Sequence, residues 1–132
     1  MRISDSADVE RYLRGIRFPK HQEMFGIIAL NEANEVIGRR MIALGATRSV
    51  CVDPRIIFIY LVQRRAASFI TFHNHPSGNL TPSQDDYSTF KTLSDCGKLL
   101  NIPCLDNIIY SPRTGEIWSD VERLHAADSG TC

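Results

Sequence analysis

His73 and His75 stand two residues apart, and Asp86 follows His75 by eleven residues. The residues before the pair, Ser68 to Phe72, form an apolar run of strand type that ends on the first histidine. Alternate residues of an extended strand share a face, so both imidazoles can reach one point. Asp86 falls in the first turns of a following helix, and the intervening loop is long enough to bring its carboxylate back to that point. Two imidazoles and one carboxylate suit zinc and leave a fourth position for a water, the arrangement of a catalytic rather than a purely structural ion. Each residue also has a plainer use. A histidine at a strand end is commonly hydrogen-bonded structure, and an aspartate early in a helix is favoured by the helix dipole. The letters His73-Asn74-His75 do not make an HNH nuclease, because that family disperses its three residues over a hairpin and a helix.

The surroundings carry the other parts of a hydrolytic site. Pro76 stops the strand, Gly78 opens backbone conformations closed to other residues, and Pro82 fixes the entry to the next helix. Ser77 and Ser83 add hydroxyls able to donate to a metal-bound water or a developing oxyanion. The water needs a proton acceptor, and Glu23 is the acid of choice. It heads an apolar strand, where an unpaired carboxylate is costly; the plainer alternative is an exposed strand-edge residue.

The elements that must position these residues follow from periodicity and turn chemistry. Ser6 to Gly15 reads as a short amphipathic helix, Glu23 to Leu30 as a strand, Asn31 to Asn34 as a hairpin loop and Val36 to Leu44 as the returning strand. Ser49 to Val52 reads as a short strand. Asp53 and Pro54 suit an N-cap and first helical position, opening a helix to Ala67 that packs Ile56, Ile57, Ile59, Tyr60 and Leu61 on the sheet. A third helix is expected to start at Thr81, capped with Gln84 and with Pro82 at its first position, and to run to about Leu100. Pro103 to Tyr110 and Glu116 to Trp118 complete the strands, joined by a turn at Ser111 to Gly115, and Asp128 to Cys132 reads as a frayed tail. The expectation is one α/β domain, a mixed sheet flanked by helices.

Composition narrows the classes. The 132 residues suit one domain able to bury its own core. Fifteen cations balance fifteen anions, which argues against a surface basic all round and so against a general nucleic-acid binder. Cations concentrate in the first half, with eleven Lys and Arg against seven Asp and Glu in residues 1–66, including Arg39-Arg40 and Arg64-Arg65. A solvated arginine-rich face is the simplest reading of that half. Cys51, Cys96, Cys104 and Cys132 show no paired two-residue spacing, and with no apolar signal core at the N-terminus they read as reduced thiols of a cytoplasmic protein. The longest apolar runs, Phe25 to Leu30 and Ile56 to Val62, are too short to span a bilayer.

Residues 73–86, HNHPSGNLTPSQDD, resemble the metal-binding motif of the JAB/MPN (JAMM) metalloprotease superfamily, His-x-His, seven residues, Ser, two residues, Asp. Pro-Ser-Gly after the second histidine and Pro-Ser before the aspartate resemble its RadC-like branch. Glu23-Met24-Phe25, Asn34 to Val36, Gly45 to Thr47, Asp53-Pro54-Arg55 and Leu105-Asp106 extend the resemblance over roughly residues 5–120. It implies an α/β sandwich related to cytidine deaminases, in a domain spanning 5–125 with 126–132 as a flexible tail. It implies His73, His75 and Asp86 as ligands of Zn2+, Glu23 as general acid/base and Ser83 as the serine stabilising the tetrahedral intermediate. The implied reaction is attack of a zinc-bound water on an amide or isopeptide carbonyl of a peptide or protein substrate. RadC-like proteins usually read Leu-Asp-His late in the chain; Asn107 stands here in place of that histidine, a change expected at substrate or supporting contacts rather than at the metal. Longer relatives carry an N-terminal helical region of DNA-binding type, to which nothing here corresponds. The alternative function, suggested by the family name and the arginine-rich half, is a non-enzymatic DNA-repair-associated or DNA-binding accessory domain. That missing region and the neutral net charge disfavour it, and a metal-keeping scaffold is a third. The complete set Glu23, His73, His75, Ser83 and Asp86 disfavours the scaffold. No membrane partner is expected, and oligomeric state and substrate identity are not written in the motif.

Overall fold

The computed structural model describes residues 1–45 and 52–123. The strand expected at Ser49 to Val52 and the tail expected from Asp128 lie outside these residues, except that Val52 itself is in no strand. The elements are α1 (Ser6–Leu13), β1 (Glu23–Leu30), β2 (Val36–Gly45), α2 (Pro54–Gln63), β3 (Ser68–Asn74), α3 (Gln84–Leu100), β4 (Cys104–Tyr110) and β5 (Ile117–Ser119).

The strands form one five-stranded mixed sheet in the order β2-β1-β3-β4-β5. β1 runs antiparallel to β2 and β3, β4 lies parallel to β3, and β5 returns antiparallel. A parallel pair needs a crossover, and α3 supplies it between β3 and β4. β1 and β3 lie inside the sheet and are buried at every position, which accounts for the unbroken run without polar side chains from Met24 to Leu30 in β1.

Residue parity separates the two faces. Phe25, Ile27, Ala29 and Phe69 pack with Ile57, Phe58 and Leu61 of α2 and Leu93 of α3. Met24, Ile28, Leu30, Ile70, Phe72 and Ile108 pack with Val9 and Leu13 of α1 and with Phe18. The result is three layers, α1 on one side of the sheet and α2 and α3 on the other. Each large side chain fully buried here contributes about 1.5–3 kcal/mol.

Two helices differ from expectation. α2 stops at Gln63 rather than Ala67, because Arg64 caps it and Arg65 turns left-handed at φ 53°. Its buried face is Ile57, Phe58, Tyr60 and Leu61, whereas Ile56 and Ile59 are 43% and 58% exposed. A helix apolar almost all round has no periodicity from which to choose a face. α3 opens two residues later than expected, with Ser83 as N-cap and Asp86 as its capping-box partner, so Thr81 and Pro82 lie outside it. An ionised aspartate accepts a stronger, charge-assisted hydrogen bond than the Gln84 amide and also suits the helix dipole.

Near the other end of α3, Gly97 lets the helix pass the chain that follows it. A Cβ there would lie 2.6 Å from the Ile102 carbonyl oxygen. Asn101 closes the helix in the left-handed region at φ 58°, and the Ile102 N–H returns to the Gly97 carbonyl. Gly to Ala inside a helix ordinarily stabilises by up to about 1 kcal/mol. Here Gly97→Ala is expected to destabilise by about 1–3 kcal/mol, because backbone must move. Denaturant unfolding gives the sign, and a stabilised variant would show that the turn yields freely.

Candidate metal centre

β3 delivers His73 to the α3 side of the sheet, the face shared by Glu23, Phe25 and Ile27 of β1. His73 pairs with Phe25 in register, and its ring stacks on Phe25 at 5.7 Å. Phe90 of α3 approaches the same ring at 6.0 Å, leaving His73 only 2% exposed. His75 continues past the strand end, tied by its N–H to the Tyr110 carbonyl. Pro76 and Ser77 then turn the chain, with Gly78 at φ 85° as a glycine-compatible position and its N–H bonded to the His75 carbonyl. This turn carries the Asn79 carbonyl back to within 2.7 Å of His75 Nδ1. An Nδ1–H donated there directs the Nε2 lone pair of the neutral ring into the site.

Asp86 arrives from α3 through the same contacts that start the helix. Its N–H donates to Ser83 Oγ at 3.0 Å, and its Oδ2 accepts from the Ser83 N–H at 2.9 Å. The carboxylate so held faces both rings, with Oδ1 3.2 Å from His73 Nε2 and Oδ2 3.3 Å from His75 Nε2. The two Nε2 atoms are 3.2 Å apart. A tetrahedral ion with bonds of about 2.0–2.1 Å requires donor–donor edges of about 3.3–3.4 Å. The three donors therefore already stand close to the spacing zinc imposes.

The electrostatics agree with that fit. Burial alone would raise the Asp86 carboxyl, but hydrogen bonds from His73 and His75 and the charge of His73 outweigh it and hold it far below the usual carboxylate range. Burial likewise disfavours a charged His75, yet Asp86, the Asn79 carbonyl and Glu23 together raise its pKa above the ordinary value. Among the described residues no Lys or Arg pairs with Asp86 or Glu23, so a cation is the natural complement of the cluster. Of the described residues, His73, His75 and Asp86 form the one group whose donor atoms converge as a metal site does.

Glu23 sits at the edge of this cluster and is not an exposed strand-edge residue. It is 7% exposed, and its Oε1 lies 3.7 Å from His75 Nε2. Burial pushes its carboxyl pKa up, partly offset by His73 and His75. Glu23, His75, Ser77 and Ser83 line one open cleft of about 400 Å³ together with Lys20, His21 and Thr81. All five expected site residues thus come together, with Ser83 doing double work as the α3 cap.

Ser83→Ala is expected to cost about 1 kcal/mol of stability through the lost cap. Metal affinity should change little, within about 3-fold, because the bond that holds the Asp86 carboxylate comes from the backbone N–H of residue 83, which alanine keeps. Thermal unfolding and a competition titration measure the two effects separately. A large loss of metal affinity would mean that the Ser83 hydroxyl, and not its N–H, positions Asp86.

One residue in the motif escaped the sequence reading. Asn74, between the two histidines, points to the opposite face and is fully buried. Its Oδ1 accepts from the Met24 N–H at 2.7 Å, and its Nδ2 donates to the Pro19 and Gln22 carbonyls at 3.3 and 3.2 Å. It pins the segment leading into β1, and so the position of Glu23, to the strand that carries the ligands. The available signal was parity: if His73 and His75 face the ion, a polar residue between them must be satisfied on the other side. The Asn107 side chain bonds to Thr71 and Cys104 and to none of the three donors. It accepts from Thr71 Oγ at 2.6 Å, two positions short of His73 along β3. Nearby, burial first and then the Asp106 charge push the Cys104 thiol up to about 12, which leaves it unreactive.

Fold and site together define a small α/β domain with a candidate His-His-Asp metal centre at the end of its central strands. Residues 3–122 match the family profile described as RadC-like JAB domain, and the chain belongs to that family. It is 45% identical over 92 residues to a UPF0758 protein of Methanospirillum hungatei, covering 70% of this chain and 41% of that one. It is 42% identical over 108 residues to a UPF0758 protein of Bacillus cereus, covering 81% and 48%. A Staphylococcus aureus UPF0758 protein is 40% identical over 109 residues, covering 83% and 50%. The chain thus spans about half the length, or less, of these relatives. No helix among the described residues is long and apolar enough to cross a membrane.

Proposed function

We propose that this domain is a zinc-dependent hydrolase of the peptidase or isopeptidase type, with His73, His75 and Asp86 as the zinc ligands. The observation that carries this reading is the place of Glu23, buried and 3.7 Å from His75 Nε2, beside three close donors. A structural zinc site closes with four protein ligands, whereas three ligands and a neighbouring carboxylate leave room for chemistry.

Bound zinc supplies Lewis acidity toward a substrate carbonyl and toward water. Glu23 supplies the base that takes the nucleophile's proton and returns it to the departing amine, a role suited to a carboxyl whose pKa burial has raised. Ser83 Oγ accepts from the Asp86 N–H, which leaves its hydroxyl proton to donate to the oxygen that gains charge as the carbonyl is attacked. Asn79 fixes the His75 ring and Asn74 fixes the segment before Glu23, so base and ligand keep their spacing without substrate. The open cleft at Lys20, His75 and Thr81 suits an extended chain rather than an enclosed small molecule. The test is a screen of peptides and isopeptide-linked conjugates with zinc-loaded protein. Cleavage lost on chelation and restored by zinc is expected; stoichiometric zinc without cleavage of any amide would overturn the reading.

A further inference from the structure

A second cavity, of about 490 Å³, adjoins the metal cleft and shares Lys20, His21 and Pro76 with it. Its remaining walls are Phe18, Pro19, Asn74, Pro112 and Arg113. The chemistry of the two compartments is opposite. The metal cleft holds the Glu23 carboxylate, whereas the second cavity has no acid in its lining and presents Lys20 and Arg113 over apolar surface. Neither cation has a carboxylate partner among the described residues, so both are free to meet an anion in the cavity. The walls are also built rather than loose. Asn74 ties the Pro19 and Gln22 carbonyls to β3, and the Ser111–Gly115 turn is closed by the Gly115 N–H to the Ser111 carbonyl. Lys20 and Arg113 therefore stand on two fixed segments that face each other across Pro76, directly after the ligand His75.

We propose that this cavity is a specificity subsite for a carboxylate on the substrate close to the bond that is cut, received by Lys20 and Arg113 while Phe18 and the prolines hold its aliphatic part. Arg113 offers a planar fork matched to a carboxylate and Lys20 a mobile point charge between subsite and metal cleft. The carboxylate belongs either to an acidic side chain or to a free C-terminus. This inference rests on the hydrolase reading for the word substrate, but its test does not need turnover.

Short fluorescent peptides are titrated onto the zinc-loaded full chain, matched except for Glu, Gln or Lys at one position and for a free or amidated C-terminus. The expected result is binding about 10-fold tighter for the carboxylate-bearing peptides than for their neutral matches, weakening with salt. The Glu–Gln contrast identifies a side-chain source and the free–amidated contrast a C-terminal one. The charge reversal Lys20→Glu with Arg113→Glu should abolish the preference or transfer it to the Lys peptide, with zinc content unchanged. Equal binding of all peptides, no measurable binding of the acidic ones, or a preference that survives the reversal would each overturn the subsite. Charge-selective binding without hydrolysis would overturn the hydrolase reading and leave the subsite standing.

Discussion

Glu23→Gln protein is expected to keep about one zinc per chain and to lose amide hydrolysis by about 10²–10⁴-fold, the range for a general acid/base. Glutamine keeps the shape and part of the hydrogen bonding of the glutamate but cannot accept the proton. The three close donors are His73, His75 and Asp86, and Glu23 stands 3.7 Å from His75 Nε2 outside that group, so its loss leaves the ligand set intact. Removing a carboxylate that is 7% exposed should also leave the fold as stable as before or slightly more so. Elemental analysis and initial rates on one substrate, read side by side, separate the roles. Full activity in the zinc-loaded variant would remove Glu23 as the base, and loss of zinc would make it a ligand.

His75→Ala is expected to weaken zinc binding by roughly 10²–10³-fold, because zinc-binding free energies of about 10–16 kcal/mol are shared among about four ligands. His75 is the cleaner choice of the two histidines. His73 lies between Phe25 and Phe90, so its truncation would open a cavity as well as remove a donor. Protons compete for the same Nε2 atom. In the metal-free protein His75 is raised above the ordinary value, chiefly because Asp86 and the Asn79 carbonyl overcome the effect of burial. A raised pKa means that the ring is protonated at a higher pH, so zinc affinity should begin to fall nearer neutrality than an ordinary imidazole of pKa about 6.5 would allow. Competition with a chromophoric chelator from about pH 8 to about pH 5.5 follows this directly. Affinity that stays flat across that window would exclude His75 as a ligand through Nε2.

Much of the site was legible in one dimension because its signals are local. The alternation of His73 and His75, the proline and glycine punctuation after them and an acid in the next helix depend only on backbone period and turn chemistry. Strand boundaries at Glu23–Leu30, and helix α3 ending at Leu100, follow from the same kind of signal. What failed was choice between equivalent local options. Thr81 with Gln84 and Ser83 with Asp86 have the same capping spacing, and the second pair wins where Asp86 also faces two histidines. The α2 sequence offers apolar residues on every side, and only the sheet beneath it decides that Phe58 is buried and Ile59 is not.

From its sequence alone the α/β class and the candidate donors His73, His75 and Asp86 were legible, since each is written in residue type at short spacing, whereas Glu23 stood out only as an acid heading an apolar strand. Tertiary structure decided the strand order β2-β1-β3-β4-β5, which sets β1 beside β3 and so brings Glu23 to His75 across more than fifty residues of chain. It also decided the use of Asn74 and set Lys20 and Arg113 in the lining of one cavity beside the candidate metal centre. Pairing between distant segments depends on which faces bury together, and no local period records that choice.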